Sequence, residues 1–156
     1  MNKTNAMRLL DSAGIPYKTA TYMVDENDLS GTHIADQVGM PYGAVFKTLV
    51  ARGDKTGVIV LCIPVDRELD LKKAARVSGN KKVEMVQVKE LLGLTGYIRG
   101  GCSPVGMKKK YPTYIDESCL LEAEIAVSAG VRGCQMILSP QVLVDFTQAS
   151  IVELIA

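Results

Sequence analysis

The strongest constraint on the fold comes from two apolar, β-prone segments at residues 45–51 and 57–65, which are separated by a turn that contains Gly53 and Asp54. Two such runs joined by a short loop with a glycine predict an antiparallel hairpin. The longest apolar stretch, residues 58–65, is far too short to cross a bilayer as a helix. The pattern therefore predicts a hairpin buried in a globular core, with no membrane partner.

The rest of the chain alternates irregularly between short helical and short strand patterns. The absence of a regular βαβ order indicates an α+β domain with a mixed sheet or barrel, and a length of 156 residues favours one domain spanning residues 1–156. Helices are predicted at residues 2–13, 30–38, 68–78 and 88–92 and after Ser139, and further strands at residues 19–24, 82–86, 113–116, 124–128 and 135–138.

The net charge of +1 conceals an uneven distribution. Residues 72–110 carry a net charge of +8, and the remainder of the chain carries −7. Clustered lysines and arginines favour contact with a polyanion, because phosphate contacts release counterions. The alternative is a solvated face whose charges pair with the acidic remainder, and charge alone leaves both interpretations open.

Cysteine and histidine usage argues against metal and cofactor chemistry. The four cysteines contain no CxxC pair, and His33 is the sole histidine, so neither a zinc site nor a Ser-His-Asp triad is indicated. The first residues lack the long apolar core of a signal peptide, so we expect a cytoplasmic protein without a disulfide framework. We predict no metal and no cofactor.

Lys47 is the first candidate site residue. Strand alternation places it on the same face as Val45 and Leu49, which are both apolar. Either this face lines a pocket that contains one cation, or the strand is an edge strand and Lys47 protects it from pairing with other chains. A lysine in a pocket would bind an anionic or hydroxyl-rich group as a point charge.

Two glycine-rich loops are the other candidates. Residues 100–106, GGCSPVG, contain consecutive glycines whose backbone N–H groups could converge on an anion or a carbonyl oxygen, but the loop matches no nucleotide-binding motif. Residues 128–133, SAGVRG, carry a single arginine between two predicted strands. The alternative for both segments is an ordinary turn.

Taken in order, these segments resemble the YbaK/EbsC family of aminoacyl-tRNA editing proteins, and most closely its cysteinyl-tRNA(Pro) deacylase branch. The resemblance runs from residue 21 to residue 133, and its most specific part is GGCSPVGMKK at residues 100–109. The other matching segments are TY at 21–22, VFKTL at 45–49, LDLKK at 69–73, KKVEM at 81–85, TGY at 95–97, PT at 112–113, ID at 115–116, and VSAG with RG between 127 and 133.

The resemblance implies a curved, barrel-like mixed sheet flanked by short helices. It also implies an enzyme that removes cysteine wrongly attached to tRNA(Pro) and that also releases cysteine from tRNA(Cys). Prolyl-tRNA synthetase is a further candidate partner. A second site that hydrolyses the wrong product is needed where the binding pocket of a synthetase cannot distinguish two amino acids with small side chains. In this branch the thiol of the substrate attacks its own ester, so the protein needs only to orient the substrate and stabilise the oxyanion.

The resemblance also assigns roles to residues. Lys47, Gly100 and Gly101 are the expected catalytic residues, with Lys47 on the terminal ribose or phosphate and the two glycines on the carbonyl oxygen. The expected substrate-binding residues are Tyr22, Ser103, Ser128, Gly130, Arg132 and Gln135. The expected tRNA contacts are Lys72, Lys73, Lys81, Lys82, Lys108 and Lys109.

Gln135 departs from the family pattern, which often has an acidic residue at this position. An amide can form hydrogen bonds but cannot form an ion pair with an ammonium group. Two alternatives therefore stay open: a deacylase for alanine or another small amino acid that uses water as the nucleophile, and a tRNA-binding module without turnover.

Overall fold

The predicted hairpin lies at the centre of the larger of two sheets in the computed structural model, which describes residues 2–156. Its strands pair antiparallel from Phe46 opposite Pro64 to Gly53 opposite Gly57. The strands of the fold are β1 Lys18–Thr21, β2 Phe46–Gly53, β3 Gly57–Pro64, β4 Val83–Met85, β5 Thr113–Asp116, β6 Ile125–Ser128, β7 Cys134–Leu138 and β8 Ser150–Val152. The α-helices are α1 Asn5–Ser12, α2 Gly31–Val38, α3 Leu71–Ser78, α4 Val88–Thr95 and α5 Pro140–Thr147.

The strands form two sheets. The larger has the order β4-β2-β3-β5-β8 and is mixed, because β5 runs parallel to both β3 and β8. The smaller is antiparallel, with the order β1-β7-β6. The predicted α+β class with a mixed sheet is confirmed. Among the described residues the sheets do not close into a barrel; a parallel β-bridge between Val45 and Ala126 links them.

The link between the two sheets creates a fork. Beyond Val45 and Ala126, β2 and β6 run in the same direction but no longer pair. On its side facing away from β3, β2 next pairs with β4, and only at residues 51–53. The stretch of β2 between the bridge and β4 therefore borders an opening between the sheets.

Apolar side chains cover both faces of the hairpin. On one face Phe46, Val60 and Cys62 pack with α1, α5 and the smaller sheet. On the other face Ile59 and Leu61 pack beneath α3. The side chains of β2 therefore project from a hairpin that is packed on both faces.

Two local predictions require correction. The helix predicted at residues 68–78 begins at Leu71, because the Asp70 carboxylate caps it by accepting hydrogen bonds from the N–H groups of Lys72 and Lys73. Leu71 itself is 42% exposed. Strand β8 was not predicted; it pairs parallel with β5 at the edge of the larger sheet.

Within residues 2–156, no helix is long and apolar enough to cross a membrane.

Candidate active site

The fork between β2 and β6 opens into a cavity of about 390 Å³. This volume lies within the range of small-molecule sites. Its walls come from five segments: residues 45–50 with the neighbouring Val65, the first turn of α2 with its cap Ser30, a mostly apolar wall at residues 85–88 and Leu91, a loop with Arg99, Gly100 and Cys102, and the Ser128 and Gln135 side of the smaller sheet. The sequence-predicted residues Lys47, Gly100, Ser128 and Gln135 are brought together here.

Lys47 lines the cavity from the centre of the fork. It lies opposite Ile63 in the hairpin, and because β4 pairs with β2 only at residues 51–53, the side of β2 away from β3 borders the cavity at Lys47. Lys47 is half-buried and forms no ion pair within the described part of the chain. The pocket alternative is the one that matches this position.

The backbone of Thr48 also faces the cavity. In an antiparallel ladder, the N–H and C=O groups of alternate residues point to opposite sides of the strand. The Val50 carbonyl points away from β3, because it accepts a hydrogen bond from the Val86 N–H at 3.1 Å. Thr48, two residues earlier, has the same orientation in a stretch that β4 does not reach. Its peptide groups therefore border the opening.

The loop after α4 is held in a fixed shape. Gly100 lines the cavity and has a φ of +85°, a conformation that favours glycine. The Gly101 N–H, in contrast, donates to the carbonyl of Ile98 at 2.9 Å and closes a turn. The expected convergence of both N–H groups on one oxygen is therefore wrong for Gly101, whose donor is already used.

Arg132 holds this loop from outside the main cavity. Its Nε donates to the Arg99 carbonyl at 2.8 Å, and a Cβ on Gly100 would lie 3.2 Å from the same atom. Arg132 and Tyr22 line a small adjoining crevice of about 10 Å³ with His33, and Gly100 borders both spaces. Tyr22 and Arg132 thus meet the site at Gly100 rather than at Lys47.

Ser103 and Gly130 lie behind the loop. Ser103 is fully buried, and its Oγ accepts a hydrogen bond from the Val105 N–H at 3.2 Å. Gly130 has a φ of +99°, and a Cβ there would lie 2.9 Å from the Tyr97 ring. Neither lines the main cavity, so the structure places both where they shape the loops.

Ser128 and Gln135 are cross-strand neighbours in the smaller sheet. The Ser128 Oγ accepts a hydrogen bond from the Gly130 N–H at 3.1 Å. Gln135 is only 3% exposed, and its Oε1 has no hydrogen-bond partner among residues 2–156. Because most buried polar atoms in proteins are paired, this oxygen marks a position where a ligand can supply the donor.

Cys102 is the thiol that lines the cavity, and its chemistry is unfavourable for catalysis. Burial raises the pKa of Cys102 to about 11, so the thiol stays protonated at neutral pH. Within the described residues, no group of three or more His, Cys, Asp or Glu side chains is placed to hold a metal ion. The cavity lining offers cationic and hydrogen-bonding groups, and its Cys102 thiol is protonated at neutral pH.

The six lysines expected to contact tRNA occupy different surroundings. Lys73 and Lys82 form ion pairs with Glu153 and Glu84 at 2.6 and 2.9 Å. Lys81 and Lys82 lie next to the far end of β2, about 20 Å from Lys47 at 3.3 Å per strand residue. Lys108 packs against Gly96, in the segment that leads to Arg99 and Gly100.

Sequence reasoning missed part of the site. Arg99 and Thr48 were not singled out, although Arg99 directly precedes the two glycines and Thr48 follows Lys47. The apolar wall at residues 85–88 was also missed, since nothing in its pattern distinguishes it from an ordinary strand end. Met85 and Val88 are 44% and 62% exposed, which suits a rim that a ligand covers.

Known proteins resemble this chain in sequence. The chain is 49% identical over 152 residues to EbsC of Enterococcus faecalis, a protein named provisionally as a Cys-tRNA(Pro)/Cys-tRNA(Cys) deacylase, with 97% of this chain and 93% of that protein covered. A proline–tRNA ligase of Thermosipho africanus is 28% identical over 59% of this chain and 16% of its own length.

The fold has solved counterparts. A crystal structure described provisionally as a trans-editing enzyme for prolyl-tRNA synthetase superposes with a TM-score of 0.85 and 26% identity, and 99% of each chain is covered. The family described as the aminoacyl-tRNA editing domain matches residues 30–146, which include the whole lining of the main cavity except Leu29. The chain therefore belongs to the aminoacyl-tRNA editing domain family.

Proposed function

We propose that the protein is a trans-acting deacylase that removes cysteine wrongly attached to tRNA(Pro), and also cysteine from tRNA(Cys). The observation that carries this proposal is a cavity that contains a lysine and backbone donors but no activated protein nucleophile among its described lining. The likeness to EbsC, at 49% identity, supports the choice of substrate.

The reaction that suits such a cavity uses the thiol of the substrate. The cysteine sulfur attacks the ester carbonyl, so a carbon–sulfur bond forms and the carbon–oxygen bond to the ribose breaks. The thiol proton ends on the ribose oxygen, and the products are a cyclic thiolactone and free tRNA. The protein supplies orientation and oxyanion stabilisation, which are effects of position and electrostatics.

The chain's own residues divide these tasks. Lys47 contacts the terminal ribose or phosphate, where its charge also stabilises the leaving oxygen. The backbone N–H groups of Gly100 and Thr48 serve the carbonyl oxygen from two walls of the fork. Ser128 and Gln135 form the polar floor, and Tyr22 reaches the substrate from the crevice beside Gly100.

The apolar wall favours this pathway over attack by water. Met85, Val86, Val88 and Leu91 line the cavity near Val50, and Val65 adds apolar surface near Val45. A bound aminoacyl ester would cover this wall and exclude solvent from the carbonyl. A nucleophile that is already attached to the substrate does not need a water site.

The tRNA contacts are testable with two matched pairs of lysines. We expect the acceptor stem to cross the surface from residues 108–109 towards Lys72 and Lys81. Replacing Lys108 and Lys109 by alanine should raise KM about tenfold and lower the slope of log affinity against log salt by about 2. The Lys81 and Lys82 double variant, which removes the same charge farther from Lys47, should change KM less. Equal effects would contradict this path.

A panel of charged tRNAs tests the function itself. We expect release of cysteine from tRNA(Pro) and tRNA(Cys), with alanine and proline on tRNA(Pro) left intact. Release of alanine would mean that water is the nucleophile and would contradict the proposed mechanism. Binding without release from any of these tRNAs would instead identify a tRNA-binding module. We also propose that the protein acts in the cytoplasm, with prolyl-tRNA synthetase as a candidate partner, because tRNA editing serves translation.

A further inference from the structure

We propose that Gln135 recognises the α-nitrogen of the substrate as an uncharged N–H donor, so that the site also accepts esters whose α-nitrogen is acylated. The inference rests on the proposed function, because it places an aminoacyl ester in the main cavity. It assigns a specificity-determining role to Gln135, at a position where the family pattern often has an acidic residue.

The first support is the buried oxygen of Gln135. The residue lies in the central strand of the smaller sheet, between Ala20 of β1 and Ser128 of β6, so its side chain is enclosed on both sides. It is 3% exposed, it lines the cavity, and its Oε1 lacks a partner within residues 2–156. A buried acceptor left unpaired is unfavourable, and a donor from a ligand would relieve it.

The second support is the charge of the cavity. Among its described lining residues, Lys47 and Arg99 are basic and none is acidic. Outside the lining, Glu90 of α4 pairs with Arg52 at 3.1 Å, Asp28 faces His33 at 3.7 Å, and Asp25 borders the adjoining crevice, where its carboxylate accepts from the Asn27 N–H. An ammonium group would therefore enter a cavity with two cations and no counterion.

Such a cavity favours the neutral amine. Like charges and burial both disfavour the protonated form of an amine. The α-amino group ordinarily titrates at about pH 7.7–8.0, so a modest shift is enough to deprotonate it at neutral pH. The neutral form keeps N–H donors for the Gln135 Oε1.

Ser128 completes the recognition of a neutral amine. Its Oγ already accepts from the Gly130 N–H, which leaves its hydroxyl proton available as a donor. Side chains directly opposite in an antiparallel pair have Cβ atoms about 5 Å apart, so one nitrogen can contact both Ser128 and Gln135. An amine offers both an N–H and a lone pair, whereas an ammonium group has no lone pair.

The consequence is tolerance of acylated substrates. An amide nitrogen carries one N–H and no charge, so it can still donate to the Gln135 Oε1, although it has no free lone pair for the Ser128 hydroxyl. A carboxylate at residue 135 would instead select the ammonium form. We expect the wild-type protein to cleave N-acetylcysteinyl-tRNA(Pro) with a kcat/KM within about tenfold of that for cysteinyl-tRNA(Pro).

The test compares these two substrates in matched variants. Gln135→Glu should lower the ratio of kcat/KM for the acetylated substrate to kcat/KM for the free substrate by about tenfold or more. The reason is that a buried carboxylate stabilises the ammonium form of the free substrate more than the neutral amide of the acetylated one. Gln37→Glu makes the same change on the exposed surface of α2 and should leave the ratio unchanged. An unchanged ratio in Gln135→Glu would overturn the inference.

Gln135→Met keeps the test valid if a buried carboxylate impairs folding. Methionine has a similar shape and no buried acceptor, so this variant should show a raised Tm together with a KM about tenfold higher for both substrates. A wild-type KM would overturn the inference, as would a wild-type protein that cleaves the free but not the acetylated ester. If the wild-type protein releases no cysteine at all, the proposed function fails and the inference fails with it.

Discussion

Arg132 holds Arg99 by its backbone: the Nε of Arg132 donates a hydrogen bond to the Arg99 carbonyl oxygen at 2.8 Å, across 33 residues of sequence. Arg99 and the next residue, Gly100, both line the main cavity. A bond from a side chain outside this cavity therefore fixes the position of a backbone donor inside it. On this geometry Arg132 is a positioning residue, and its contact with the substrate is a separate prediction.

Replacing Arg132 by alanine should release the loop. We expect kcat to fall about tenfold or more while KM changes little, because the Gly100 N–H would lose its fixed aim at the developing oxyanion. Arg132→Lys should not rescue kcat, since lysine has no donor at the Nε position. Steady-state kinetics on cysteinyl-tRNA(Pro) measures both parameters.

The matched control for this prediction is Arg67→Ala. Arg67 also donates from its guanidinium to a backbone carbonyl, that of Ala156, at 3.1 Å. Each substitution should cost about 1 kcal/mol of unfolding free energy. A loss of kcat in both variants, or in neither, would contradict the positioning role of Arg132.

Lys47→Ala should remove most of the activity and leave the fold intact. The side chain is half-buried beside the cavity and has no ion pair within residues 2–156, so its loss breaks no salt bridge. Loss of one preorganised charge at the reacting group costs about 10²-fold or more in kcat. Lys55→Ala, in the exposed turn of the same hairpin, is the control. Unchanged deacylation by folded Lys47→Ala would show that Lys47 has no role.

Cys102→Ser should retain most of the activity although Cys102 lines the cavity. Its raised pKa, about 11, leaves almost no thiolate at neutral pH, and the reacting sulfur in our account belongs to the substrate. Replacement of all four cysteines by alanine or serine should have the same result. A complete loss of turnover in a folded Cys102→Ser protein would point to a protein nucleophile instead.

The buried thiols also predict how stability depends on pH. Burial raises the pKa of Cys62 from 9.0 to about 12 and that of Cys102 and Cys119 to about 11. The folded state therefore holds protons that the unfolded chain releases above pH 9. Stability should be constant up to about pH 9 and then fall as the pH rises towards 11, because unfolding then releases the protons that the three thiols retain in the folded state.

Urea denaturation at pH 7, 9 and 10.5 measures this loss. A Cys102→Ser variant should lose less stability between pH 9 and 10.5 than the wild-type protein, since one of the titrating groups is absent. An identical decline in the two proteins would mean that the Cys102 thiol is not shielded from solvent as the structure describes.

The sequence pattern was sufficient to predict helices and strands that depend on residues close together in the chain. Alternation along β2 predicted that Lys47 shares a strand face with Val45 and Leu49, but it left both a pocket and an edge strand open. The helix predicted at residues 30–38 is α2, Gly31–Val38. The fork was not predicted, because the bridge between Val45 and Ala126 joins segments 81 residues apart. The Gly101 N–H was misjudged for a related reason, since a glycine pair shows that a turn is permitted but not which carbonyl, here that of Ile98, takes the donor.

The most direct test of the account is to compare cysteinyl-tRNA(Pro) with seryl-tRNA(Pro), which differ only by oxygen in place of sulfur at the side chain. A thiol is far more nucleophilic than a hydroxyl that no base activates. We predict that the wild-type protein releases cysteine at least about 100-fold faster than serine, because only the thiol can attack its own ester. Release of serine at a comparable rate would show that water is the nucleophile and would contradict the substrate-thiol mechanism.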